Sequence, residues 1–135
     1  MNNPVQARPS GTAELVAEYA AAAYEAIRAV NHLTITKPPL PAPDVYVPLA
    51  DLARLGHALS QALDQLGDCL AGSLSTHQLY QDDGSDPAAA ITRAESLLQS
   101  AAQLAQSFGV YTAAAQQAIN EQGHHGLRTE MEAGR

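Results

Sequence analysis

Apolar residues recur at three- and four-residue steps along the first third of this chain. Leu15, Tyr19, Ile27 and Val30 follow this spacing, with alanines filling most of the steps between them. Side chains spaced in this way lie on one side of an α-helix. We therefore predict a first helix over about residues 12–31.

A heptad pattern marks the second stretch and predicts a helix over about 48–77, with Pro48 in its first turn, where a missing N–H costs nothing. The two heptad positions hold Leu49, Gly56, Leu63 and Leu70, and Leu52, Leu59 and Leu66. Gly56 is the one small residue in this series, so a neighbouring helix can approach closely there. We expect Leu52, Leu59 and Leu66 to be buried.

The third helix has a clear beginning. Asp86 followed by Pro87 is a typical helix start, because the carboxylate can cap the first turn and proline suits the first helical position. The apolar pattern then continues to about Asn120, which predicts a helix over 87–120. The preceding residues "DDGSD" are typical of a turn, so the second and third helices should form an antiparallel hairpin.

The segment "TKPPLPAPDVYVP", residues 36–48, holds five of the eight prolines. In extended form, the roughly 16-residue connection could reach about 45 Å, enough to return along a whole helix. We predict an all-α fold: a three-helix bundle in which this proline-rich strap packs through Leu40, Val45 and Tyr46 and sets the first helix parallel to the second. The alternative is a peptide motif for a proline-binding partner, but no basic residue stands where such ligands need one.

Length and composition fit this architecture. A chain of 135 residues has room for one core, and we predict a flexible arm over 1–11, a single domain over 12–122 and a flexible tail over 123–135. The apolar 46% is mostly alanine and leucine, with one Phe, five Tyr and no Trp. Few aromatic and β-branched residues argue against a β fold.

The charge is acidic and unevenly distributed. Net charge is −7 and the basic residues are scattered singly, which argues against a nucleic-acid partner. Between Arg54 and Arg93 there is no Lys or Arg. Five aspartates fall in this interval: Asp64, Asp68, Asp82, Asp83 and Asp86. The 64–86 acidic region is either a solvated surface or a binding region for a basic partner, as in acidic regulatory or antitoxin-like accessory proteins.

Membrane and secretory signals are not evident. The longest uncharged run, 96–120, contains five glutamines, which would be costly in hydrocarbon. The N-terminus lacks the pattern of a signal peptide, and Cys69 has no second cysteine to pair with. We therefore expect a cytoplasmic protein that does not bind a membrane.

No motif in the sequence predicts catalysis. Phosphate-binding glycine loops, metalloprotease motifs and the strand–turn motif of serine hydrolases do not occur. The five histidines are not spaced as metal ligands, and the neighbouring carboxylate of Asp68 argues against a reactive thiolate at Cys69. We expect no enzyme activity, no cofactor and no metal, and a half-buried Cys69.

The outer side of the predicted third helix is polar but uncharged over many turns. We call this set the neutral strip, and it consists of Gln99, Gln103, Gln106, Val110 and Gln117. Interfaces between proteins are depleted in charged residues, and a thin alanine-rich core leaves apolar surface to bury. The sequence therefore predicts a non-enzymatic interaction or scaffold protein that forms a homodimer, or binds another protein, through its third helix.

The stretches "PDVYVPLADLARLGHALSQALDQL" and "DDGSDPAAAI" resemble a group of short, uncharacterised all-helical proteins of actinobacterial genomes. The resemblance covers roughly residues 32–120 and concerns the order of segments rather than a catalytic motif. It implies an all-helical fold and carries no activity. Pro48 departs from the group's pattern, in which this helix starts earlier.

Overall fold

A computed structural model describes residues 11–129 and 134 of the chain. Within these residues there are three α-helices and no β-strand: α1 (Gly11–Thr34), α2 (Ala42–Thr76) and α3 (Pro87–Ala118). The predicted all-α class and the number of helices are confirmed.

The chain divides into two compact units, Met1–Leu40 and Pro41–Arg135, and each is described by itself. The single domain over 12–122 stays a prediction. The predicted arm lies outside the described residues except for Gly11, and the predicted tail is described only over 123–129 and at 134.

The first unit contains α1, a helix of 24 residues and thus about 36 Å. None of its residues is buried. Glu25 pairs with Arg28 at 3.1 Å, one turn along the helix. The helix continues three residues beyond its predicted end, and the Thr34 hydroxyl donates to the carbonyl of Val30 at 2.9 Å.

The beginning of α2 corrects the sequence prediction. The helix starts at Ala42 rather than at Pro48, so Pro43 occupies the first turn and Pro48 lies inside the helix. The Pro41 carbonyl accepts hydrogen bonds from the backbone N–H of Asp44 at 3.0 Å and of Val45 at 3.3 Å. Pro43 loses no helical hydrogen bond in the first turn, whereas Pro48, inside the helix, has no N–H to donate to the carbonyl of Asp44.

The proline-rich strap is not confirmed. Only residues 35–41 separate α1 from α2, and seven extended residues span about 22 Å. A helix of 35 residues is about 52 Å long, so this connection is too short to run its length. Val45 and Tyr46 belong to α2, and Leu40 is exposed.

The second unit is an antiparallel hairpin of α2 and α3, as predicted. Contacts pair the start of α2 with the end of α3: the Gln116 side-chain amide donates to the carbonyl of Tyr46 at 3.3 Å. Further along α2, Gly67 faces Leu98. Residue numbers therefore rise along one helix as they fall along the other, which is the register of a helical hairpin.

The two helices approach each other closely at a pair of glycines. A Cβ built on Gly56 would lie 2.8 Å from the backbone nitrogen of Gly109 and 2.6 Å from Cδ1 of Phe108. One built on Gly109 would lie 3.0 Å from the Ala53 carbonyl oxygen. Backbones this close leave no room for side chains between them, so the crossing point depends on glycine, and the close approach that the sequence predicts at Gly56 is confirmed.

The buried residues of this hairpin are all small. They are Ala53, Gly56, Ala102, Ala105 and Gly109. The prediction that Leu52, Leu59 and Leu66 are buried is wrong: Leu52 is half-buried, and Leu59 and Leu66 are each 46% exposed. Small residues face the partner helix because they permit close backbone approach, and this rotates the leucines toward the edge of the hairpin.

Candidate interaction surfaces

One side of the hairpin is a shallow, acidic groove between α2 and α3. We call this surface the acidic groove and define it by Asp64 and Asp68 of α2 and by Glu95 and Gln99 of α3. The groove has a volume of about 470 Å³, and no Lys or Arg lines it. Asp64 and Gln99 also line its continuation along the hairpin, so the polar surface is continuous.

Much of the neutral strip lies along this same side. Gln99, Gln103 and Gln106 line the continuation of the groove, whereas Val110 and Gln117 are exposed residues further along α3 and do not line it. The side chain of Gln106 is already engaged. Its Oε1 lies 3.0 Å from Nδ1 of His57, a contact between the two helices that links the neutral strip to α2.

The acidic residues of the loop between α2 and α3 serve local structure. The Asp86 side chain accepts a hydrogen bond from the backbone N–H of Ala88 at 2.9 Å, so the predicted helix cap is confirmed. Asp83 accepts from the hydroxyl of Ser85 at 2.6 Å and from its N–H at 2.9 Å. These hydrogen bonds favour the ionised form and lower the pKa of the Asp83 carboxyl.

Turn geometry accounts for the glycine in this loop. Gly84 has a φ of 76°, in the left-handed region that side chains disfavour.

Asp82 is exposed. Of the three loop acids predicted as a partner-binding region, Asp83 and Asp86 are thus occupied in shaping the turn and the helix start, and they do not join the acidic groove.

The other side of the hairpin exposes many large apolar side chains, and near Leu97 it borders Asp83, Asp86 and Arg93. We call it the leucine face. It consists of exposed, large apolar residues on the side of α2 and α3 that points away from the acidic groove. They are Leu59 and Leu66 (46% exposed each), Leu97 (65%), Leu104 (72%), Phe108 (46%) and Tyr111 (76%). Monomeric proteins rarely leave so many large apolar side chains together in water.

Helical geometry places the leucine face opposite the acidic groove. Successive residues are rotated by about 100° around a helix. Leu66 therefore lies on nearly the opposite side of α2 from Asp64 and Asp68, and Leu104 lies on nearly the opposite side of α3 from Gln99 and Gln106. The heptad step was the signal for the leucine face in the sequence. For α2 it predicts Leu59 and Leu66 in the interior, because a repeat of seven gives the spacing of a stripe but not the direction in which it points.

Among residues 11–129 and 134, no group of three or more His, Cys, Asp or Glu side chains is placed to hold a metal ion. Cys69 is exposed, so its expected half-burial is wrong. Within the same part of the chain, no helix combines the length and the apolar character that crossing a membrane requires.

Comparisons with protein-family models, with curated proteins and with solved structures found no match to this chain. Inference about its function consequently depends on the contacts, exposure and charge of its own residues.

Proposed function

We propose that this protein is a non-enzymatic interaction protein that self-associates through its third helix. The observation that carries the proposal is the exposure of large apolar side chains along α3, from Leu97 to Tyr111. The buried interior between α2 and α3 consists of alanines and glycines, which contribute little hydrophobic free energy. Covering α3 with a second copy would supply the missing apolar burial.

Sedimentation velocity on the full-length chain tests this proposal. The chain has a mass of 14.1 kDa, so self-association gives a species of twice that mass that dissociates on dilution. We expect the dimer at micromolar concentrations. A species of 14.1 kDa at every concentration would contradict self-association and leave the protein to act on a different partner.

The three-helix bundle remains a prediction, and it offers a competing use of the exposed surface. In such a bundle, these apolar side chains would be covered within one chain, and a dimer would have to form through another surface, such as the neutral strip. A constant mass of 14.1 kDa therefore favours a bundle that covers this surface within one chain, whereas a dimer requires the variants described below to identify its contact surface.

A second candidate function is binding of a basic partner, as an acidic regulatory or antitoxin-like accessory protein would. The specific observation that favours it is the acidic groove, where Asp64, Asp68 and Glu95 line one cleft without a basic residue. We assign this binding to Asp64 and Asp68 of the predicted 64–86 region, because these two line the groove, whereas Asp83 and Asp86 are hydrogen-bonded within the loop.

Two double variants of equal charge distinguish a local acidic site from bulk attraction. Asp64→Asn with Asp68→Asn removes two charges from the groove, and Asp82→Asn with Asp83→Asn removes two from the loop. If the groove binds basic partners, the groove variant should weaken binding of a lysine-rich probe peptide about tenfold or more at low salt, while the loop variant changes it less. Equal losses in the two variants would show that only net charge acts, which argues against this candidate.

A further inference from the structure

We infer that the leucine face is the self-association surface, and that its occupant is the leucine face of a second copy of this chain. This inference rests on the proposed self-association and assigns it to one side of the hairpin. It also replaces the neutral strip as the contact surface on α3, since the two lie on opposite sides of that helix.

The amount of exposed apolar surface suits a dimer. Aromatic side chains bury roughly 150 to 250 Å² each, and a leucine corresponds to the lower end of this range. From the exposed fractions of the six residues of the leucine face, each copy would bury roughly 500 to 700 Å² of apolar surface. A stable protein interface buries about 800 Å² on each partner, whereas the largest apolar patch on an ordinary monomer is about 300 to 600 Å².

Charge also favours a second copy on this side. Each chain carries a net charge of −7, so two copies repel one another unless their acidic surfaces are kept apart. Asp64, Asp68 and Glu95 line the acidic groove on the opposite side of the hairpin. Contact through the leucine face places the two acidic grooves on the outer surfaces of the dimer, while the neutral strip would bring them together.

The leucine face is periodic in a way that can match itself. Leu59 and Leu66 are seven residues apart on α2, and Leu97, Leu104 and Tyr111 repeat the same step on α3. Two such surfaces related by a two-fold axis present ridges of equal spacing to each other, which is the requirement for a symmetric helical interface. In the resulting dimer, the two hairpins pack against each other through their leucine faces. The alanines and glycines remain between α2 and α3 within each copy.

A matched pair of substitutions on α3 tests the assignment. Leu104→Glu changes the leucine face, and Val110→Glu makes the same change of apolar side chain to carboxylate at an exposed position of the neutral strip. Both variants lower the net charge equally. We expect Leu104→Glu to raise the dimer dissociation constant about a hundredfold or more in sedimentation equilibrium, because each interface would bury two unpaired carboxylates. Val110→Glu should leave it within about threefold.

Folding is checked in both variants by far-ultraviolet circular dichroism and by urea unfolding. Leu104 is 72% exposed in the single chain, so its replacement should preserve the helices. A folded, monomeric Leu104→Glu beside a dimeric Val110→Glu supports the inference. A dimer lost only in Val110→Glu, or kept in both, overturns the leucine face while the proposed self-association stands. A wild-type chain that is monomeric throughout overturns both.

Discussion

Replacing Gly56 with alanine is expected to lower the free energy of unfolding by about 1 to 3 kcal/mol, although alanine is the better helix former. The added methyl group would meet the backbone of Gly109 at 2.8 and 2.9 Å and Cδ1 of Phe108 at 2.6 Å. The phenyl ring can rotate, but the backbone cannot yield without moving the whole of α3. The helices must therefore separate and lose contacts along their length.

Gly72→Ala is the matched control on the same helix. A Cβ there would have no heavy atom within 4 Å, so the substitution should stabilise the protein by up to about 1 kcal/mol through helix propensity alone. Urea unfolding at one fixed protein concentration measures both, because self-association also contributes to apparent stability. If Gly56→Ala were as stable as Gly72→Ala, the close glycine crossing would be wrong.

The second large effect is expected from Ala105→Leu. Ala105 is one of the buried alanines of α3, and the larger side chain has no space between helices that approach this closely. We expect a loss of about 1 to 3 kcal/mol in the free energy of unfolding, as is typical of added methylenes in a packed interior. Chemical unfolding monitored by circular dichroism provides the measurement.

Ala114→Leu is the corresponding control, since Ala114 is an exposed residue of the same helix. Leucine and alanine have similar helix propensities, so this variant should stay within about 0.5 kcal/mol of the wild type. Equal stability of the two leucine variants would show that the interface of α2 and α3 is looser than the structure indicates.

Local chemistry made some elements predictable. The start of α3 follows from Asp86 and Pro87, because a capping carboxylate and a first-turn proline act over two or three residues. The start of α2 does not follow in the same way. Pro43 and Pro48 are both acceptable first-turn residues by local rules, and the hydrogen bonds that the Pro41 carbonyl accepts select the earlier one.

The candidate surfaces were only partly predictable. The neutral strip is visible in the sequence as a set of uncharged residues on α3, and three of its glutamines, Gln99, Gln103 and Gln106, lie together along one groove. The acidic groove combines Asp64 and Asp68 with Glu95, which is far away in the sequence. The hairpin register brings these carboxylates together, and the sequence alone does not give that register to the nearest turn.

The sequence by itself determined that this chain forms helices, where α3 begins, and that a tight turn follows α2, since these depend on periodicity and on hydrogen bonds between near neighbours. Only the tertiary structure decided which way each stripe points. Close approach at Gly56 and Gly109 turns alanines inward and leaves Leu59 and Leu66 at the edge. A heptad repeat fixes the spacing of a stripe, whereas its direction is set by how closely two backbones can pack.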